Sequence, residues 1–497
     1  MKIPILSMVL LAVAGCAATG GRPSGSTPAL FPENGAVNVN RDTPLVLTFT
    51  SPPSIGSSGT IRIYDTADDS LVDTLDLAVP VSPRPDGRGR WTPDSGDKTV
   101  YQRNVIGGFD FHFFPVIVRG NVATIHPHNG ALKYGRRYVV KMDPGVLTTA
   151  DGAFGGFGGE TRWTFTTKAS PPPADARRLV VAANGSGDFT TVQGAIDHLP
   201  EKPARRVTIF IRDGDYEEIV FAFGKSNVTI RGESRDGVRV HYRNNSAFNP
   251  SRGAGSPSRR PAFSILNGSD IQLSTFTISN DFIGQAEALL IRGERIVVDR
   301  MTLSGSGDAL TTYGTLYMVD SELAGHGDTI LGYAALYCLR CEVRSIGPMT
   351  WTRTPQGSHG NVFVDSTLIS LDEPLPWTVT ATDPGQKVEG VFARLPRNSP
   401  GASAPNFPHA EMVLVDTRTR GFAPVGWGPV EEPPGFDRSN VRFMEFNTMD
   451  LDGEPVDLSQ RHPVVKRLAL PADADTIANY RRPEFVLGGW TPVVLPD

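Results

Sequence analysis

The first thing this chain lacks is the residue set for a metal site. It has three cysteines. One stands at position 16, and the other two form Cys338-Leu339-Arg340-Cys341. No second Cys pair and no His cluster completes a zinc site around them. The pair falls inside a repeating β segment and reads as structural packing, with a local disulfide as the alternative in an oxidising compartment. Charge of one sign is also lacking: the net charge is −5 and no long basic run occurs, which excludes a nucleic-acid surface. Helical periodicity is nearly absent. What is abundant is glycine, 52 residues, and proline, 41, set between short β runs as in turn-rich all-β proteins.

Long apolar runs are confined to the start. Lys2 is followed by Ile3 to Ala14, too short to span a bilayer and readable as a secretory signal. The run ends Val13-Ala14-Gly15-Cys16, which resembles a bacterial lipobox, where the cysteine becomes the lipidated first residue. Ala17, where an Asp would signal retention, points to the outer membrane. The expectation is a lipoprotein signal peptide over 1–15, a lipid anchor on Cys16, an outer-membrane location on the periplasmic or cell-surface face, and a flexible Gly/Ser/Thr/Pro tether over 16–27.

Residues 28–168 carry short alternating strands, among them Pro44–Thr50, Thr60–Tyr64, Tyr138–Met142 and Arg162–Thr167, separated by turn residues as in a β-sandwich. The opening Pro32-Glu33-Asn34-Gly35 and the closing Trp163-Thr164-Phe165-Thr166-Thr167 resemble bacterial Ig-like modules. No catalytic constellation is visible here. His112, His126 and His128 read as surface or packing residues, and the segment as a spacer or adhesion module. A stiff Pro-rich linker follows over 169–176.

From 177 to 497 the pattern changes to short β runs closed by Gly, Asn or Asp turns: Asn227–Ile230, Asp270–Leu273, Arg295–Val298, Thr315–Met318, Ala335–Cys338 and Asn361–Val364. Their spacing suits one solenoid coil with variable loops. Thr191–Leu199 is the helical exception and is suited to capping the open end of a solenoid. The fold class is thus all-β, a right-handed parallel β-helix preceded by an Ig-like sandwich. Gln285, Asp308 and Asp328 recur at intervals of 23 and 20 residues. Adjacent strands lie about 4.8 Å apart, so equivalent positions on successive coils line one face. Two carboxylates that close suit acid–base and nucleophilic chemistry.

The β-helical segment resembles the pectin methylesterase family of carbohydrate esterases over about residues 177–495. The resemblance rests on Val180–Ile196, Ile211–Glu218, Gln285-Ala286-Glu287-Ala288-Leu289, Gly307-Asp308-Ala309-Leu310, Gly327–Gly332, Phe392-Ala393-Arg394-Leu395-Pro396, Gly426-Trp427 and Gly488-Gly489-Trp490, in the family's order. It implies hydrolysis of galacturonan (pectin) methyl esters to pectate and methanol, with no metal and no cofactor. Asp328 stands at the nucleophile, Asp308 at the general acid and base, Arg394 at the arginine that aims the nucleophile, and Gln285 at a donor to the oxyanion. Pectin is the implied partner. Stacked coils need no second copy, so a monomer is expected.

The departures are specific. Gly307 replaces a second family Gln and removes one oxyanion donor. Leu395-Pro396 replaces Pro-Trp and removes an aromatic beside the substrate. Glu287 replaces Val. Trp351, Trp377 and Phe282 are the candidate sugar platforms, and Arg353 and Arg340 the candidate carboxylate contacts. The insertions Asn249 to Pro261 and Pro396 to Pro408 are expected to shape the groove walls. Competing readings are a chain-cleaving β-helix enzyme using a carboxylate pair, an esterase for another ester or a thioester, and a non-catalytic pectin-binding surface protein.

Overall fold

The computed structural model describes residues 27–86, 99–150, 152–159, 162–250, 256–282, 284, 286–333, 335–372, 390–394, 407–428 and 438–496. The first 26 residues, which hold the signal-like segment and Cys16, lie outside this range, as do Gln285, Trp377, Leu395 and Pro396.

Residues 29–167 form mainly antiparallel sheets around one core, with Ala36–Val39 and Trp163–Thr167 paired parallel. The strands Ala29–Phe31, Leu45–Thr48, Val122–Ile125 and Val116–Arg119 make one sheet. Ala36–Val39, Trp163–Thr167, Arg137–Met142, Thr60–Asp65 and Leu71–Asp76 make the other. Their residues alternate in burial, so Leu45 and Leu47 from one sheet meet Ile61, Ile63, Val140 and Phe165 from the other. The Trp163 indole, fully buried, donates to the Pro32 carbonyl at 2.8 Å.

The rest of the chain winds into parallel coils. One ladder runs from Arg178–Val181 to Val465–Arg467, and a second of eight strands from Gly214–Glu217 to Arg418–Arg420. All pairings between named strands in both ladders are parallel. Parallel crossovers of this kind are right-handed almost without exception. The helix Val192–His198 covers the first coils, with the Thr191 hydroxyl accepting from the Gly194 amide.

Register turns sequence into columns. Ile209, Ile230, Leu273, Val298, Met318, Cys338, Phe363 and Leu414 stand in line through eight coils, all of them buried. This explains the Cys pair: Cys338 is one rung of an apolar stack, and it and Cys341 are free thiols buried in the core. Each coil turns through a left-handed residue, including Arg300, Asp320, Arg340, Asp365, Asp416 and Asn447. Four of these six are Asp or Asn, the non-glycine types that most readily accept that conformation.

The apolar stack ends at Glu445, which pairs with Leu414 in register. Its fully buried carboxylate accepts from the Trp427 indole at 2.8 Å, from Arg461 Nε at 2.9 Å and from the Thr448 hydroxyl at 3.0 Å. Trp427 in turn packs on Phe392, whose strand Val391–Ala393 leads directly into Arg394. This buried network therefore fixes the strand that carries a candidate site residue.

The sandwich is not a detached spacer. The hairpin Arg103–Ile106 and Phe109–His112 lies against the β-helix, with Phe111 on Phe221 and Phe114 stacked on Phe248 at 4.6 Å. His112, expected to be an ordinary packing residue, does pack, but between domains: its amide donates to Asn249 Oδ1 at 2.7 Å, and its Nδ1 lies 2.8 Å from the Phe248 carbonyl. Beside the hairpin, Arg119 pairs with Glu217 at 2.5 Å, and His241 lies between Asp281 at 2.5 Å and Asp215 at 3.1 Å. Burial works against the His241 imidazolium, but these two carboxylates outweigh it and push its pKa up to about 9. Glu217, His241 and Asp281 bring metal-ligand atoms together, yet Arg119 and Arg239 already supply the positive charge there.

Removing one partner of a buried ion pair leaves the other uncompensated. Arg461→Ala is therefore expected to destabilise the β-helix by about 3–5 kcal/mol, read as a lower urea midpoint. An unchanged midpoint would show that the Glu445 network does not brace this end.

Candidate active site

The coils align Leu289 with Leu310, Leu310 with Ile330, and Ile330 with Thr350. Two residues before these positions stand Glu287, Asp308, Asp328 and Pro348. Asp308 and Asp328 thus occupy the same position on adjacent coils, about 4.8 Å apart along the ladder. The third member of the column is Glu287; Gln285 lies outside the described residues. All three carboxylates are buried. Asp328 has φ +44°, in the left-handed region, and its amide donates to the Pro348 carbonyl at 2.7 Å. That uncommon conformation for a non-glycine residue is held by this bond and by the neighbouring one from the Gly327 amide to the Ile346 carbonyl at 2.8 Å.

Three arginines offset the three acids. Arg394 Nε approaches Asp328 Oδ1 to 2.8 Å, a charge contact in which the N–H is poorly aimed at the oxygen. Arg260, delivered by the insertion after Asn249, pairs with Glu287. Arg353 follows the strand Pro348–Thr352 and lies over the Trp351 ring at 3.8 Å. Burial pushes the Asp328 carboxyl up to about 6; Arg394 opposes the shift and Asp308 adds to it. Burial likewise raises Glu287 to about 7, against Arg260 and with Asp308. Gly307, at φ +129°, presents no side chain beside Asp308.

A second column forms the floor of a cleft of about 670 Å³ that holds Asp308 and Asp328. Phe223 pairs in register with Leu266, Leu266 with Arg292, and Arg292 with Tyr313. Tyr313 stacks on Tyr333 at 4.3 Å, and Arg353 lies over Tyr333 at 4.8 Å. Trp351 lies beneath both Arg353 and Arg394. The Trp351 indole N–H and the Arg353 Nε–H are buried and find no acceptor among the described residues. Flat aromatic and guanidinium faces suit a sugar ring bearing hydroxyls and a carboxylate.

Of the residues singled out in the sequence, Asp308, Asp328, Arg394, Trp351 and Arg353 come together. Phe282 does not: it is buried, with Arg243 over its ring, and does not line the cleft. Arg340 pairs with Asp320 on the outer surface. Glu287 points inward and not away. Tyr313, Tyr333, Arg292 and Arg260 were missed. Tyr313 and Tyr333 each follow an Asp of the pair by five residues, a repeat that could have revealed them.

Residues 178–364 match the family model described as Pectinesterase. That stretch is similar to pectinesterase sequence. Pectinesterase QRT1 of Arabidopsis thaliana is 33% identical over 144 residues, 27% of this chain and 38% of that protein. Probable pectinesterase/pectinesterase inhibitor 12 of the same plant is 30% identical over 139 residues, 27% of this chain and 24% of that protein. The chain therefore spans about a quarter of the length of the latter relative. Among solved structures, pectin methylesterase PemA from Erwinia chrysanthemi is 19% identical with a TM-score of 0.49, covering 64% of this chain and 98% of that one. Pectin methylesterase from carrot is 20% identical with a TM-score of 0.48, covering 63% and 93%. The matched segment contains both stacked Asp residues, the Tyr pair and Trp351, while Arg394 follows it.

Because the folded Asp328 pKa is raised from 3.8 to about 6, the neutral form favours the fold. That advantage is full below pH 3.8 and is lost as pH rises through 6. Infrared difference spectra against Asp328→Asn should show its protonated carboxyl band disappearing near pH 6. Arg394→Gln removes the opposing charge and should move that loss to higher pH. A band lost near pH 4 in both proteins would contradict this electrostatic assignment.

Proposed function

We propose that this protein is a carboxylic ester hydrolase that removes methyl esters from galacturonan, giving pectate and methanol. One observation carries the reading: two buried aspartates stacked on adjacent coils, at an arginine- and aromatic-lined cleft, within pectinesterase-family sequence. Ionised Asp328 attacks the ester carbonyl carbon and forms an anhydride with the C6 carboxyl of the sugar. Asp308, protonated, gives its proton to the departing methoxide, which leaves as methanol. The Asp308 carboxylate then takes a proton from water as that water opens the anhydride, restoring both acids.

Electrostatics supports this division of labour. Like charges one rung apart disfavour double ionisation, so the pair holds one proton at working pH. Arg394 favours ionisation of Asp328 and so selects it as the nucleophile. Gln285 would donate to the oxyanion as in the family. Gly307 cannot, which leaves the Arg260 and Arg353 guanidiniums as the nearby positive charge.

Methanol release from highly methylated pectin is expected to continue in EDTA and to fall at least about 1,000-fold in Asp328→Asn, as for loss of a covalent nucleophile. Undiminished release by that variant would remove the mechanism, and new reducing ends would point to chain cleavage instead.

The N-terminal sandwich is read as an Ig-like module, supported by its strand pattern and shared core. The protein is further proposed to be an outer-membrane lipoprotein anchored through Cys16, on the evidence of Val13-Ala14-Gly15-Cys16. Labelled palmitate should enter the wild type and not Cys16→Ser; equal labelling would refute the anchor.

A further inference from the structure

We infer that the N-terminal sandwich closes one end of the substrate groove, so that hydrolysis is confined to esters within about four sugar units of one chain terminus, given one pyranose ring per 4.8 Å rung. This rests on the esterase reading above.

The groove floor runs along the column Phe223, Leu266, Arg292, Tyr313, Tyr333, Arg353. Asp328 belongs to the Tyr333 coil, and Phe223 lies four rungs away toward the first coils. At that end the floor meets the sandwich. Phe109, at the start of the hairpin's second strand, packs on Phe223 at 4.8 Å and on Phe221 at 5.3 Å, and it lines the cleft. No sugar ring passes between aromatic rings at that separation.

The wall is built and not merely adjacent. Gly107, at φ +56°, approaches so closely that a Cβ there would lie 2.4 Å from the Phe221 carbonyl oxygen. Any side chain would push the hairpin off, which makes glycine a requirement of the docking. Ile106, Phe111, Ile219, Phe221, Tyr242 and Phe248 form one buried apolar cluster across the junction. The Ser82 hydroxyl donates to the Phe248 carbonyl at 2.9 Å, and the Phe114 amide donates to the Tyr242 hydroxyl at 2.9 Å.

The same contacts shape the side wall. Asn249 donates to the His112 carbonyl at 3.1 Å and to Asn244 Oδ1 at 2.9 Å. Asn244 in turn donates to the Arg259 and Pro261 carbonyls at 2.7 and 2.8 Å. The sandwich thereby holds both flanks of Arg260, the cation paired with Glu287 beside Asp308. A domain that reads as a spacer in the sequence contributes to substrate length selection.

The test uses the full chain and fully methyl-esterified, end-labelled oligogalacturonates of four to twelve units. Mass spectrometry maps the first position demethylated. Wild type should act within about four units of one end at every length. Phe109→Ala should spread the first event inward, and Phe109→Trp should narrow it. Internal action by wild type on the long chains, unchanged by Phe109→Ala, would overturn the inference. Binding of unesterified oligomers, read by tryptophan fluorescence, separates the two readings. Affinity that stops rising at a fixed length in wild type, and at a greater length in Phe109→Ala, supports the wall even if no methanol is released, in which case the esterase reading alone falls. Affinity rising with length identically in both proteins overturns the wall.

Discussion

In-register parallel pairing is the constraint on which everything else here depends. Once Leu289, Leu310 and Ile330 stack, the residues two positions before them are brought onto one another at the rung spacing of about 4.8 Å. The same ladder that lines up eight apolar residues inside the coil lines up three carboxylates outside it. The acids do not choose to approach one another; the hydrogen-bonded backbone holds them there, and burial raises the pKa values of Asp328 and Glu287. Three arginines, one from the insertion after Asn249, one just after the strand Pro348–Thr352 and one just after the strand Val391–Ala393, make that crowding tolerable.

Each arginine also depends on distant packing. Arg394 is placed through Phe392, Trp427 and the buried Glu445–Arg461 pair. Arg260 is placed through Asn244, Asn249 and His112 of the sandwich. The site is therefore a junction of three supports: the coil register, the polar end of the core stack and the interdomain hairpin. A change in any one alters the balance of charge around Asp308 and Asp328 without touching either.

Much of the coil was legible because strand residues announce themselves locally. Asn361–Val364 and Ala335–Cys338 coincide with strands, and Thr191 caps the helix expected after it. Asp308 and Asp328 were legible as a 20-residue repeat. The direction of Glu287 was not legible, because only the register decides which residue before Leu289 faces the acids. Arg260 and the Phe109 hairpin were illegible for a different reason. The hairpin contacts and the support of Arg260 through Asn249 and His112 join segments more than a hundred residues apart, across a boundary that composition marks as a linker. Phe282 misled because an aromatic near a motif reads the same whether it faces substrate or core.

The central claim is that the stacked carboxylates face an ester bound along the Arg/Tyr/Trp floor. A crystal structure of Asp328→Asn with a methyl-esterified galacturonate oligomer tests it most directly. The account predicts a sugar stacked over Tyr313 and Tyr333, with its ester carbonyl carbon about 3–3.5 Å from the side chain at position 328. An oligomer bound on another face, or with its ester turned away from both 308 and 328, would contradict it.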